Sequence, residues 1–304
     1  MSRLLPLLLL ATACATTTGS TGGPSSAAAR RPFDVKVVGH GPPMVLIPGL
    51  ASSGEVWNEV VAHYQDRYEC HVLTLAGFAG QPAISGPLLP AVHDALIQYL
   101  TENKLDHPVV VGHSLGGFMG LWLATSNPDL VGQLVIIDSA PSLAALQAPS
   151  ITDTEAKQQA DELRSQLRMA TPDQRAKFSR MAAKGMVTDA AQVDRVAGWS
   201  MKSDSDTVAD AMYYVMTHDL RPELGSVRAP TLVIGTWVSY RPYATRADLL
   251  ERFTAQYSRC GTCKVTLTDK ARHFVMLDDP TGLLAQVDGF LQTSAPEPLS
   301  AKAP

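Results

Sequence analysis

Gly112-His113-Ser114-Leu115-Gly116-Gly117 sets a serine between glycines, directly behind the apolar run Pro108-Val109-Val110-Val111 and directly ahead of Phe118-Met119-Gly120-Leu121-Trp122. Gly-x-Ser-x-Gly between a strand-like and a helix-like stretch predicts a sharp turn whose flanking positions must be nearly free of side chains. The serine hydroxyl is pushed out at the apex, and the free N–H groups of the helix's first turn face any negative charge that forms beside it. A hydroxyl attacks well only when a base removes its proton. Of eight histidines, His273 in Leu267-Thr-Asp-Lys-Ala-Arg-His-Phe274 is the one that combines a late position with a loop after a strand-like run. His113 is expected to turn its ring away from the apex and pack. His40 and His218 read as surface or packing residues, with His218 also a candidate for the rim of a pocket. Asp138, Asp269 and Asp278 are the carboxylates that could orient the base.

These residues need a scaffold, and the chain supplies a regular one. Residues 33–38, 44–47, 70–75, 108–112, 134–138, 231–235 and 264–268 are short apolar or β-branched runs bounded by Gly, Pro, Asp or polar residues, which predicts seven strands. Helix-patterned segments lie between most of them. Strands and helices in alternation, with near-continuous apolar strands, predict an α/β fold with a mostly parallel sheet and helices on both faces. The interval from about 140 to 225 holds no convincing strand and reads as a helical insertion. With 304 residues, 45% of them hydrophobic, the chain can bury a sizeable core; a net charge of −4 offers no basic stripe, which argues against nucleic acid as a partner.

On these motifs the chain resembles the α/β-hydrolase family from about residue 33 to 294. Val45-Leu-Ile-Pro-Gly-Leu-Ala-Ser-Ser-Gly-Glu-Val-Trp57 is similar to the family's oxyanion segment. The resemblance implies that the N–H of Leu50, with Ala51 as the alternative, and the N–H of Leu115 hold the oxyanion. Ala76 stands where the family's next loop often has an aspartate. The family's acid usually follows the penultimate strand, yet Thr231-Leu-Val-Ile-Gly-Thr-Trp-Val-Ser-Tyr240 has no carboxylate before Asp248, itself inside a predicted helix. Asp138, at the end of an earlier strand used by some members, is the leading candidate; Asp269, Asp278 and a dyad without an acid are the alternatives. The inserted helices correspond to the family's cap over the active site. Six methionines there (169, 181, 186, 201, 212 and 216), with Trp199, Tyr213 and Tyr214, are expected to form the cap's own core, and a lid of this kind also suits an apolar acyl or aromatic substrate.

The N-terminus, Met1-Ser-Arg-Leu-Leu-Pro-Leu-Leu-Leu-Leu-Ala-Thr-Ala-Cys14, reads as an export signal too short to span a bilayer. Ala11-Thr-Ala-Cys14 resembles a bacterial lipoprotein processing site, with lipidation of Cys14; a plain secretory signal cleaved near Ala29 is the alternative. The Thr/Ser/Gly/Ala stretch behind it reads as a flexible tether. The expected organisation is therefore signal and tether over 1–29, a hydrolase domain over 30–295, and a disordered tail over 296–304. The protein would be exported, periplasmic or at the cell surface, and held to the membrane only through lipid. Cys260 and Cys263 are expected to form a local disulfide, and Cys70 to be a buried small hydrophobe. The expected activity is hydrolysis of a carboxylic ester through an acyl-serine, with no metal or organic cofactor. An amidase, peptidase or perhydrolase with the same residues is one alternative, and a binding or sensor protein on this scaffold is another.

Overall fold

The computed structural model describes residues 31–293. The proposed signal, the Cys14 modification and the C-terminal tail lie outside the described residues. In chain order the elements are β1 (Phe33–Gly39), β2 (Pro43–Ile47), α1 (Asn58–Tyr64), β3 (Glu69–Leu75), α2 (Leu88–Glu102), β4 (Val109–His113) and α3 (Leu115–Ser126). There follow β5 (Gln133–Ile137), α4 (Leu143–Gln147), α5 (Asp153–Met169), α6 (Pro172–Met186), α7 (Ala190–Met201) and α8 (Ser205–Thr217). Then come β6 (Thr231–Thr236), α9 (Arg246–Gln256), β7 (Cys263–Thr268), α10 (Val275–Asp278) and α11 (Pro280–Thr293).

The seven strands form one sheet in the order β1-β3-β2-β4-β5-β6-β7, parallel throughout except for the β1–β3 pair. Side chains on a strand alternate between its faces, and both faces here are apolar. Val45, Val110, Leu134, Ile136 and Val233 face one core with α2, α3 and α9. Met44, Leu46, Val109, Val135 and Leu232 face the other with α1 and α11. The result is a three-layer sandwich, as near-continuous apolar strands require. Cys70 is buried on β3, and Cys260 and Cys263 are bonded to each other with Cα atoms 5.4 Å apart at the entry to β7.

Between β5 and β6 every regular element is helical. These helices terminate themselves: Thr152 with Glu155 and Thr171 with Gln174 form capping boxes, and Asp189 and Asp204 cap α7 and α8. The insertion is seated on loops of the sheet edge. Asp204 N–H donates to the Gly77 carbonyl at 2.7 Å, Ala79 N–H to Ser203 Oγ at 2.8 Å, and Phe274 N–H to the Met186 carbonyl at 3.1 Å. The expectation that its methionines form a core is corrected. Met169, Met181, Met186 and Met201 are exposed, whereas Met216 is buried. The reason is visible on α6, which buries only Ala183 and leans on α7 through small side chains.

Candidate active site

The parallel register brings the candidate residues to one edge. His113 pairs with Ile137 across β4 and β5, so Ser114 and Asp138 are the next residues on neighbouring strands. Ser114 N–H donates to the Ile137 carbonyl at 2.9 Å and Asp138 N–H to the Ile234 carbonyl at 2.8 Å, continuing the ladder just past the strands. At that point the backbone leaves ordinary geometry: Ser114 has φ 53° and Asp138 φ 46°. Ala51, in the loop after β2, has φ 54°. Left-handed backbone in a non-glycine residue costs on the order of 1–3 kcal/mol and persists only where packing enforces it.

The glycines explain how packing does so. A Cβ on Gly112 would lie 2.2 Å from the Gly116 carbonyl oxygen, and one on Gly116 would lie 2.1 Å from the Ile47 carbonyl oxygen. Strand, helix and the end of β2 therefore meet backbone to backbone. A Cβ on Gly49 would lie 3.3 Å from Ser114 Cβ, which puts the turn carrying Leu50 beside the serine. Leu115 is the first residue of α3, and neither its N–H nor that of Leu50 has an acceptor among the described residues. Ser114 is half-buried and its hydroxyl makes no hydrogen bond to another described residue.

His273 follows β7 and meets Asp138 directly, with Nδ1 2.6 Å from Oδ2. Asp138 also accepts the Thr236 N–H at 3.0 Å and the Thr236 hydroxyl at 2.9 Å. Three donors on one nearly buried carboxylate engage both of its oxygens and hold its plane. With Nδ1 donating, Nε2 of His273 is left as the basic nitrogen, the arrangement a general base needs. The other carboxylates are engaged elsewhere. Asp269 accepts from Arg246 at 2.7 Å, and Asp278 accepts from the Thr188 N–H and hydroxyl and from the Arg272 N–H. Asp248 caps α9.

Two partners escape sequence reasoning. Thr236 stands at the end of β6, at the start of the stretch that lacks the expected carboxylate, and its hydroxyl there is the signal that could have marked it. His113 is fully buried, as packing required, but it is also a strut: Nε2 lies 3.0 Å from the His273 carbonyl oxygen, and its ring sits 4.8 Å from that of Phe274. Since a carbonyl only accepts, Nε2 carries the proton and donates. Burial, with the nearby His273 ring adding to it, holds the His113 imidazole well below its usual value of 6.5 and therefore neutral. Tyr257 is buried too; burial and then Asp138 push its hydroxyl up, and it donates to the Ser139 carbonyl at 2.9 Å, fixing the residue after Asp138. His218 stacks on Tyr214 at 3.5 Å between ring centres, away from these groups. Among the described residues no cluster of His, Cys, Asp or Glu could hold a metal ion.

A family model described as the alpha/beta hydrolase family matches residues 44–287. The pimeloyl-[acyl-carrier protein] methyl ester esterase of Vibrio vulnificus is 34% identical over 107 residues, which is 35% of this chain and 40% of that protein. The chain thus spans about 40% of the length of this relative. The same-named esterase of Aeromonas hydrophila is 24% identical over 269 residues, 84% of this chain and 98% of its own. Among solved structures, the enol-lactonase of Burkholderia xenovorans superposes with a TM-score of 0.70 at 16% identity, over 86% of this chain and 96% of its own. A thermophilic esterase of Thermogutta terrifontis gives 0.70 at 17% identity, over 86% and 93%. At such identities these structures speak for the fold alone.

Proposed function

This chain belongs to the alpha/beta hydrolase family, and we propose that within it the protein is a serine esterase acting through an acyl-serine intermediate. The observation that carries this reading is the 2.6 Å contact between His273 Nδ1 and Asp138, made at the sheet edge where Ser114 projects. Ser114 Oγ bonds to the carbonyl carbon of the ester while His273 Nε2 takes its proton. The N–H groups of Leu50 and Leu115 receive the oxyanion, a pair commonly worth a few kcal/mol of transition-state stabilisation. Collapse breaks the carbon–oxygen bond to the alcohol, which leaves with the proton from His273. Water then repeats the sequence and releases the acid. Asp138 holds the imidazole by its Nδ1 and stabilises the imidazolium. Every bond made and broken is served by these side chains and backbone groups.

For the substrate we take from the relatives' names a methyl ester of an acyl chain. Export and lipidation at Cys14 belong to the same proposal. A fluorophosphonate probe tests its core: Ser114 should be labelled, and a panel of methyl esters of increasing acyl length should be hydrolysed with an optimum. A binding protein on this scaffold would leave the probe unreacted, and that result would end the esterase reading.

A further inference from the structure

The insertion carries an apolar surface that the proposed chemistry does not use. On α6, Ser179 and Ala183 lie four residues apart on one face, Ser179 bonding Ser200 of α7 at 2.8 Å and Ala183 buried. Phe178 and Met181 lie on a second face, 49% and 62% exposed. Beside them Phe178 and Met201, the latter 41% exposed, rim an open hollow of mixed lining, in which Leu167, Ala170 and Val208 are apolar and Arg175 and four serines are polar. Met169, 80% exposed, immediately precedes Ala170. A row of such side chains in water is unfavourable by the ordinary hydrophobic term, and isolated exposed residues would need no comment; an adjoining group of them does.

The third face of α6 is basic. Lys177, Arg180 and Lys184 follow one another at helical spacing. Arg180 is paired with Asp194 on α7, while Lys177 and Lys184 form no ion pair among the described residues. The helix has four basic residues against the single acid Asp173, on a chain whose net charge is −4. An apolar stripe flanked by lysines on a surface helix is the composition of a segment that lies in a lipid–water interface, its apolar side chains at the acyl boundary and its lysines reaching up to phosphates.

We propose that this face of the insertion, centred on Phe178 and Met181 with Lys177 and Lys184 beside them, docks on an anionic phospholipid surface. Charge decides against a second copy of the chain, because a two-fold contact through α6 would set its basic faces against each other. Docked in this way, the insertion would turn the rim formed by Phe178 and Met201 towards the lipid. This inference concerns a surface and stands whether or not the esterase reading does.

The test uses the full chain with Cys14→Ala, so that no acyl group contributes, and measures co-sedimentation with vesicles. One set is phosphatidylcholine and the other phosphatidylcholine with phosphatidylglycerol. Binding should be stronger on the second set. Phe178→Asp with Met181→Asp should lower partitioning about tenfold or more on both, since charge replaces inserted apolar surface. Lys177→Gln with Lys184→Gln should lower it only on the anionic vesicles, roughly fivefold per lysine. Probe labelling of Ser114 in the same variants, together with circular dichroism, checks that each is folded, and partitioning is read independently of turnover. Unchanged sedimentation of the Phe178/Met181 variant would mean that the apolar N-terminal segment does the binding, and would overturn the proposal. So would a concentration-dependent dimer that the same substitutions abolish, because a second copy would then be the occupant.

Discussion

The sheet edge and the inserted helices are built on opposite terms. At the edge, backbone meets backbone within the radius of a methyl group, Ser114 and Asp138 sit in left-handed geometry, and Asp138 takes three donors. In the insertion, α6 buries a single alanine, α5 buries Ala156 and Ala160, and long charged side chains bridge the helices across exposed surface. One region holds a fixed geometry by exclusion of alternatives; in the other, α7 and α8 bury Val193, Trp199 and Val215 against the main cores, while the outer helices α5 and α6 rest on their caps and on contacts that water competes for. Groups that must keep their relative positions through bond making belong in the first. Surfaces that adapt to a substrate or a membrane belong in the second.

That contrast predicts where substitutions hurt, beginning with the chemistry. Ser114→Ala removes the nucleophile from a half-exposed apex without filling space, so turnover should fall on the order of 10⁶-fold with the melting temperature nearly unchanged. Asp138→Asn should cost about 10⁴-fold in kcat, because the amide fails to hold the Nδ1–H tautomer and to stabilise the imidazolium. Asp269→Asn and Asp278→Asn, whose partners are Arg246 and Thr188, should leave kcat within a few-fold of the parent. Steady-state kinetics on the four variants decide this. A near-normal kcat in folded Asp138→Asn would remove that residue from the mechanism and break the claim that the edge is the rigid, chemical half.

Sequence legibility divides along the same line. All seven strands lie within one residue of their expected bounds, because a parallel strand buried on both faces must be apolar throughout and must end at Gly, Pro or a polar residue. The candidates Ser114 and His273 come from motif and position, and the candidate Asp138 from the lack of a carboxylate after Thr231-Leu-Val-Ile-Gly235; the structure brings Asp138 to His273 and Ser114 to the same edge. Thr236 and the strut role of His113 were not legible, since a threonine at a strand end and a histidine beside a serine have many uses until tertiary neighbours are known. The cap methionines were misjudged for a related reason. Helical spacing tells which residues share a face, but not whether anything covers it, and α6 turns Phe178 and Met181 outward.

Backbone contacts at the elbow come next in size. Gly116→Ala would drive a methyl into the Ile47 carbonyl, 2.1 Å away, where neither strand nor helix can withdraw. The expected loss is about 4 kcal/mol of stability, at the upper end for single substitutions, read by urea titration. His113→Leu keeps bulk but removes the donor to the His273 carbonyl, and should cost about 1–3 kcal/mol. It also carries a pH signature. The folded imidazole has its pKa depressed below the usual 6.5, so the unfolded chain binds the proton more readily, and stability present above pH 6.5 is lost as the pH falls. The leucine variant should lose less stability than the parent between pH 6.5 and acid; the residual slope includes His71, whose pKa burial also lowers.

The smallest effect is expected from the most conspicuous contact of the insertion. Arg168 spans α5 and α8 with both oxygens of Asp210 at 2.8 Å, and its Nε lies 3.5 Å from Asp206. In the dry edge such a fork would matter greatly, but here the partners are nearly half exposed, and water and salt offer the same charges almost equal comfort. Arg168→Ala should therefore cost no more than about 1 kcal/mol, shrink further at high salt, and leave kcat on a short-chain ester unchanged. Thermal melts at low and high ionic strength, with kinetics beside them, read all three. A salt-independent loss as large as that of Gly116→Ala would show that the insertion is locked as rigidly as the sheet edge, and the adaptable surface assigned to it would have to be given up.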